Sequence, residues 1–314
     1  MSFGYVAGSN MQRRTRRRRG SSRQWFWIGF GIGFFGAASV VAVLVASFYI
    51  LFPPTRLNIL LLGLDRRPGE SVVARTDTMI LATINPSANY IGLLSIPRDL
   101  WVTLPDGSQN RINTAHFFAE AAAPGSGPQS AVDTVASNFG LTLNRYIRLD
   151  FGGFVRIIDS VGGITLDVEQ RIVDESYPDA NYGYEVLVIE PGLQHMDGEL
   201  ALKYARTRHG SSDFDRAKRQ QAVIAAFGRR LLQPDAWPRL PSLLIAVQSS
   251  LDTNLTAVDV LGVLPTLIQV SPDQIDRQVI EGDLVQPFTT SGGAAVQLPV
   301  WERINPILFE MFGE

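Results

Sequence analysis

The sequence predicts an α/β domain built on a single mixed sheet, and three observations carry that prediction. Short apolar runs alternate with segments of helical spacing. Two of the runs, Thr78–Ile84 and Tyr90–Ile96, flank an Asn-Pro-Ser reversal as the arms of a hairpin do, and Gly162-Gly163 separates a helical segment from the next strand-like run. The roughly 260 residues involved can bury one large core and show no internal repeat, so one domain is expected.

In front of that domain, Trp25 to Phe52 carries no charged residue, enough to cross ~30 Å of hydrocarbon at about 1.5 Å per helical residue. Arg13 to Arg19 just before it is almost entirely arginine, which the positive-inside bias holds in the cytoplasm. The expected order is a cytoplasmic arginine-rich tail (1–24), a transmembrane helix (25–52) and an extracytoplasmic domain (53–314). A cleaved signal peptide has a shorter apolar stretch, about 7–15 residues, ending in small residues; here the run ends Phe48-Tyr49-Ile50-Leu51-Phe52.

No acidic residue precedes Asp65, and seven of the 28 Lys+Arg lie in the first 23 residues, so the exported part is net acidic, with 30 Asp+Glu. A nucleic-acid partner is not expected, because the only basic run is the cytoplasmic tail, read as topology and lipid-headgroup attraction. Cysteine is absent and the three histidines are scattered, which removes disulfides, thiolate sites and a histidine zinc site.

Along the domain, Asn58–Leu64 is a nearly continuous apolar run, as a buried central strand is. If it runs upward and pairs parallel to the third strand, its end at Asp65, the start of the second strand at Asp77 and the end of the third before Arg98 share one edge. That edge is where open α/β sheets bind ligands. Then come a helix over Gln129–Phe139, a strand over Tyr146–Asp150, a helix over Phe154–Val161 and a strand over Ile164–Val168. Asp197 caps a short helix (Gly198–Ala205) and Asp213 a long one (Phe214–Leu232); Leu255–Val270 is a further helix, and an apolar tail with Trp301 closes the chain. A loop rich in Tyr, Asp and Asn is expected between Asp174 and Glu190.

Arg206, Arg208, Arg216 and Arg219 form the densest exported basic cluster. On the long helix Arg216, Arg219 and Gln220 share a face that Val223 and Phe227 extend as apolar surface. Guanidinium forks at a helix start suit phosphate, the alternative being a solvated helix face with an Asp215–Arg219 pair. Asp65 and Asp77 either pair with their neighbours Arg66 and Arg75 or hold a hard cation against a pyrophosphate; an aspartate as general base is a further possibility, and Asp99 orients Arg98.

The stretches NILLLGLDRR, ARTDTMILATINP, LLSIPRDLWV, RIN at Arg111–Asn113, LDFGGFVRIIDSVGGITLDV, GLQHMDGELALKYARTRH and SDFDRAKRQQ stand in order between Asn58 and Gln221. This ordered set resembles the LytR-CpsA-Psr family of bacterial envelope proteins, with core motifs over 58–232. The resemblance implies an α-β-α sandwich and a membrane-anchored phosphotransferase. Such an enzyme moves a glycopolymer from a polyprenyl-pyrophosphate carrier onto cell-wall peptidoglycan. By the same resemblance Asp65 and Asp77 would hold Mg²⁺ or Mn²⁺ and, with Arg98, act in catalysis. Arg75, Arg98, Arg206, Arg208, Arg219 and Gln220 would contact the pyrophosphate, with Arg216 at the family's other basic position in that helix. The lipid would follow the Val223 and Phe227 face. Other classes stay open: a non-enzymatic binder of lipid-linked or wall glycans, a pyrophosphate hydrolase, and a regulator, which demands a cytoplasmic DNA-reading domain.

Overall fold

The structure is a computed structural model that describes residues 1, 4, 26–27, 30, 39–40, 43, 47, 49–51, 55–66, 73–178, 183–207 and 213–313. It divides into two compact units, Met1–Pro53 and Pro54–Glu314. In the first unit the described residues between 26 and 51 are helical, with Phe26, Trp27, Val43 and Ile50 exposed. Among the described residues no helix is long and apolar enough to cross a membrane. Most of the expected span and the arginine tail lie outside the described residues.

The second unit opens with strands β1 (Leu57–Leu64), β2 (Thr76–Asn85), β3 (Tyr90–Ser95), β4 (Trp101–Thr103) and β5 (Gln109–Arg111), then helices α1 (Thr114–Ala122) and α2 (Gly127–Phe139). Next come β6 (Arg145–Asp150), α3 (Phe151–Ser160), β7 (Ile164–Val168), β8 (Ile172–Pro178), β9 (Tyr184–Ile189), β10 (Gly192–Met196), α4 (Gly198–Arg206) and α5 (Asp213–Leu232). The remainder is α6 (Leu240–Ser250), β11 (Leu251–Thr253), α7 (Ala257–Gln269), β12 (Asp276–Val279), β13 (Val285–Thr289), β14 (Ala295–Pro299) and α8 (Trp301–Phe312).

The central sheet is mixed, in the order β11-β6-β1-β2-β3-β12. β1 pairs antiparallel with β2, β2 antiparallel with β3, and β6 lies parallel to β1. The expected parallel pairing of the first and third strands is therefore corrected: β2 sits between them. Each consecutive strand folds back on its neighbour, so β1 and β3 still run the same way and the expected edge survives. Alternation along the strands fills two faces. Leu60, Leu62, Met79, Leu81, Leu94 and Ile96 pack with α2 and α8 residues such as Val132, Val135, Ile304 and Leu308. Leu57, Ile59, Ile84 and Ile91 pack under Val263 of α7, and Ile80, Ala82 and Leu93 under Ile224 of α5. Helices thus cover both faces.

The expected loop between Asp174 and Glu190 is corrected to a hairpin, β8 with β9. Period-two burial at Leu187 and Ile189, with Val186 and Val188 exposed, marks β9 as a half-buried strand. Residues 179–182 lie outside the described residues.

Two local devices fix α4. The Asp197 carboxylate accepts from Leu200 N at 2.8 Å as an N-cap, and Asp159 accepts from Gly198 N at 2.7 Å. Gly198 itself is pressed on α3: a Cβ there would stand 2.4 Å from Val155 O. Backbone cannot yield as a flexible side chain can, so Gly198→Ala must push α4 off α3. We expect a loss of about 1–3 kcal/mol in chemical denaturation; an unchanged midpoint would show that this contact does not fix the helix.

Candidate functional site

Asp65 follows the last residue of β1, Asp77 is the second residue of β2, and Arg98 lies just beyond β3. The register Leu64↔Thr76 and Ile80↔Ser95 brings all three to one edge. Arg98 Nη1 donates to both oxygens of Asp77 at 3.1 Å, and its Nη2 lies 3.7 Å from Asp213 at the start of α5. Burial alone would lower the Arg98 pKa; the charge and hydrogen bond of Asp77, then Asp213 and Asp99, outweigh it and raise the value. The side chain stays cationic. Asp99 acts on it only through its charge, for it makes no ion pair with Arg98 among the described residues.

Arg206 ends α4 and pairs with Asp65 at 3.5 Å. Its guanidinium lies 4.0 Å over the Phe151 ring and donates to Tyr177 Oη at 3.3 Å. Phe151 reaches this edge because Asp150 pairs with Leu64 in the parallel register of β6 and β1. Sequence reasoning missed both Phe151 and Tyr177, although the position of Phe151 directly after the β6 strand was a usable signal. Asp65 is nearly half exposed, and so loose an ion pair stabilises by only ~0–1 kcal/mol. An anionic ligand can replace it at little cost.

Among the described residues no ion pair joins Asp65 or Asp77 to its neighbour Arg66 or Arg75. Arg66 lies 3.7 Å from Asp150, and Arg75 sits 5.9 Å over the Phe117 ring. Arg216 is buried on the first turn of α5, 3.2 Å from Asp213. Gln220 donates to Ala205 O at 3.4 Å. Arg219 turns away from the others: its Nε donates to Tyr204 O at 3.1 Å and its Nη2 to Thr207 O at 2.5 Å, and burial lowers its pKa. It ties the end of α4 to α5. Arg208 lies outside the described residues.

Three cavities meet on Asp77 and Arg98. One, of ≈ 630 Å³, extends past Asp65 and Arg75 to Arg111, Asn113 and Phe117. A second, of ≈ 540 Å³, runs over Asp65, Phe151 and Tyr177 to Arg206, Arg216 and Gln220. The third, of ≈ 250 Å³, lies between β3 and α5. Arg219 lines none of them. Of the two residues expected along the lipid, Val223 is buried in the core around β7 and α4, and Phe227 packs against that core and against α3 and α6. The face that carries Arg216 and Gln220 to the cleft turns inward one turn later, where the helix meets β7.

Behind the first cavity stands a buried network. Arg148 Nη1 donates to Glu120 Oε2 at 3.2 Å and lies 3.1 Å from His116 Nε2. A guanidinium only donates, so Nε2 accepts and Nδ1–H donates to Ala74 O at 3.1 Å, next to Arg75. Burial, then Arg148, lowers the His116 pKa. The unfolded chain titrates near 6.5 and binds the proton first, so this stability is present above about pH 6.5 and is lost as pH falls below it. The denaturation midpoint should drop as pH falls below about 6.5, and His116→Gln should flatten that slope; equal slopes would remove His116 from the account.

A mixed α/β sheet thus gathers carboxylates and guanidiniums at its strand ends around one open cleft. A profile of the LytR_cpsA_psr family matches residues 53–305, and the chain belongs to that family. It is 34% identical over 259 residues to a polyisoprenyl-teichoic acid–peptidoglycan teichoic acid transferase, TagU, of Oceanobacillus iheyensis, covering 82% of this chain and 75% of that protein. It is 28% identical to TagV of Bacillus subtilis, which bears the same transferase description, over 72% of this chain and 56% of that one. The fold matches the crystal structure of B. subtilis TagV with a TM-score of 0.65 at 24% identity, over 83% of this chain and 98% of that one. TagT bound to LIIa-WTA matches with a TM-score of 0.64 at 22% identity, over 83% and 92%.

Proposed function

We propose that the chain is a phosphotransferase that moves a glycopolymer from a polyprenyl-pyrophosphate carrier onto peptidoglycan. The observation that carries this reading is the meeting of the cavities on Arg98 and Asp77, with Arg206, Arg216 and Gln220 on one side. The transferases among the relatives support it. An acceptor hydroxyl attacks the sugar-linked phosphorus, a P–O bond forms, and the P–O bond to polyprenyl phosphate breaks. The leaving phosphate keeps the electron pair, and the hydroxyl proton passes to a cleft carboxylate. Arg98 and Arg206 stabilise the charge that builds on the phosphoryl oxygens.

Asp65 and Asp77 are hard oxygen donors lining the same two cavities, which suits Mg²⁺ or Mn²⁺ completed by phosphate oxygens and water. Among the described residues no group of three or more His, Cys, Asp or Glu could hold a metal by itself, and both aspartates face arginines. The ion would thus enter with the substrate, acting as a Lewis acid on the pyrophosphate. Before it does, Arg98 and Arg206 hold the two carboxylates in place. Arg98→Ala or Arg206→Ala should weaken binding of polyprenyl pyrophosphate by roughly tenfold, from contacts of ~1.5–3 kcal/mol. Asp77→Asn should lose transfer that a chelator abolishes in the parent. Parent-like binding in both arginine variants moves the site elsewhere; chelator-resistant turnover removes the metal; and binding without turnover under varied acceptors makes the protein a binder.

We also propose that the arginine tail is cytoplasmic and the 53–314 domain extracytoplasmic, on the charge asymmetry around residues 25–52. A reporter enzyme active only outside the membrane, fused after Glu314, should be active; silence from a well-expressed fusion reverses the orientation.

A further inference from the structure

We infer that the ≈ 630 Å³ cavity is the acceptor subsite, binding a saccharide of the wall glycan through Asn113 and Arg111. The inference rests on the transferase reading and adds a site to it. Asn113 is 5% exposed and stands at the N-cap of α1, yet its side chain makes no capping bond. Among the described residues its Oδ1 has no hydrogen-bond partner, and neither has Arg111 Nε, although Arg111 Nη2 donates to Ala295 O at 2.7 Å. Buried polar atoms are ordinarily paired, and one left unpaired forfeits its hydration without return. Here a buried acceptor and a buried donor stand unpaired on two side chains that line one cavity, two residues apart in the chain.

Their chemistry selects the ligand. An ionised phosphate or pyrophosphate has no proton to give, so it cannot satisfy Asn113 Oδ1. A sugar can: one hydroxyl donates to Asn113 and another accepts from Arg111, while Phe117 offers an apolar face of the kind that lines such pockets. The position is also right for displacement. Asn113 N donates to Arg98 O at 3.2 Å, which fixes the residue beside the arginine shared by all three cavities. With the leaving polyprenyl phosphate held toward Arg206, a hydroxyl entering past Asn113 approaches phosphorus from the opposite side, as in-line transfer needs.

The test uses the full chain in detergent, with a soluble uncross-linked wall-glycan fragment as probe. Its binding is measured by calorimetry without donor, and transfer is measured with acceptor and donor varied separately. Asn113→Ala and Arg111→Lys should each weaken fragment binding and raise the acceptor KM by about tenfold with the donor KM unchanged. Asn113→Asp, which keeps the size and an acceptor oxygen, should retain binding within about threefold. Should Asn113→Ala fail to fold, Arg111→Lys and Asn113→Asp carry the test. Parent-like fragment affinity in the folded Ala and Lys variants overturns the subsite while leaving the transferase reading intact. A donor KM that rises in step overturns it too, giving the cavity to the donor's own glycan. If the parent transfers nothing yet binds the fragment through Asn113, the subsite stands and the transferase reading fails.

Discussion

One guanidinium organises the cleft. Arg98 joins the start of β2 through Asp77 to the start of α5 through Asp213, and it does so from the chain just beyond β3. A cation there without partners would carry a desolvation cost of several kcal/mol, and the carboxylates around it offset that cost. The same pairing sets the boundaries of the three cavities, since each has Asp77 and Arg98 in its wall. A ligand that takes a share of either charge therefore acts on both strands and on α5 together. The positions of Arg216 and Gln220 at the cleft follow from where Asp213 begins the helix.

The arginines of the domain divide into two kinds of work that composition cannot tell apart. Arg75, Arg98 and Arg206 present their guanidiniums to open space, over an aromatic ring or beside an exposed carboxylate. Arg148, Arg145 and Arg219 line none of the three cavities and are spent elsewhere: on Glu120 and Asp252, on Asp259, and on the carbonyls of Tyr204 and Thr207. Thr207 in turn donates to Asp174 of β8 at 2.7 Å, so the tether at Arg219 reaches the hairpin that carries Tyr177.

What could be read from the chain was what depends on local chemistry. The hairpin of β2 and β3, the Asp197 cap and the stop at Gly162-Gly163 each follow from residues within a few positions of one another. So did the convergence of Asp65, Asp77 and Arg98, because strand direction alone decides which ends meet. The order of strands did not follow, since a parallel pair and an antiparallel triplet place the same ends together. On α5, spacing grouped Arg216, Arg219 and Gln220, but only packing against α4 turns Arg219 to the backbone carbonyls of Tyr204 and Thr207. The burial of Val223 was not legible for the same reason: a stripe can be apolar because it lines a groove or because it is core. Arg111 and Asn113 were visible only as a motif, for an unpaired atom is a property of the fold and has no sequence signal.

The sheet also constrains the order in which the domain can be completed. Its two outer strands, β11 beside β6 and β12 beside β3, both come from the last quarter of the chain and are only three and four residues long. Until they arrive, the inner four strands present bare edges on either side, the state in which sheets recruit strands from other molecules. Two strands that follow the inner four in the chain are therefore the ones that make the domain safe among its own copies. Their brevity serves that end, because a short rim closes the ladder without offering a new edge long enough to extend it.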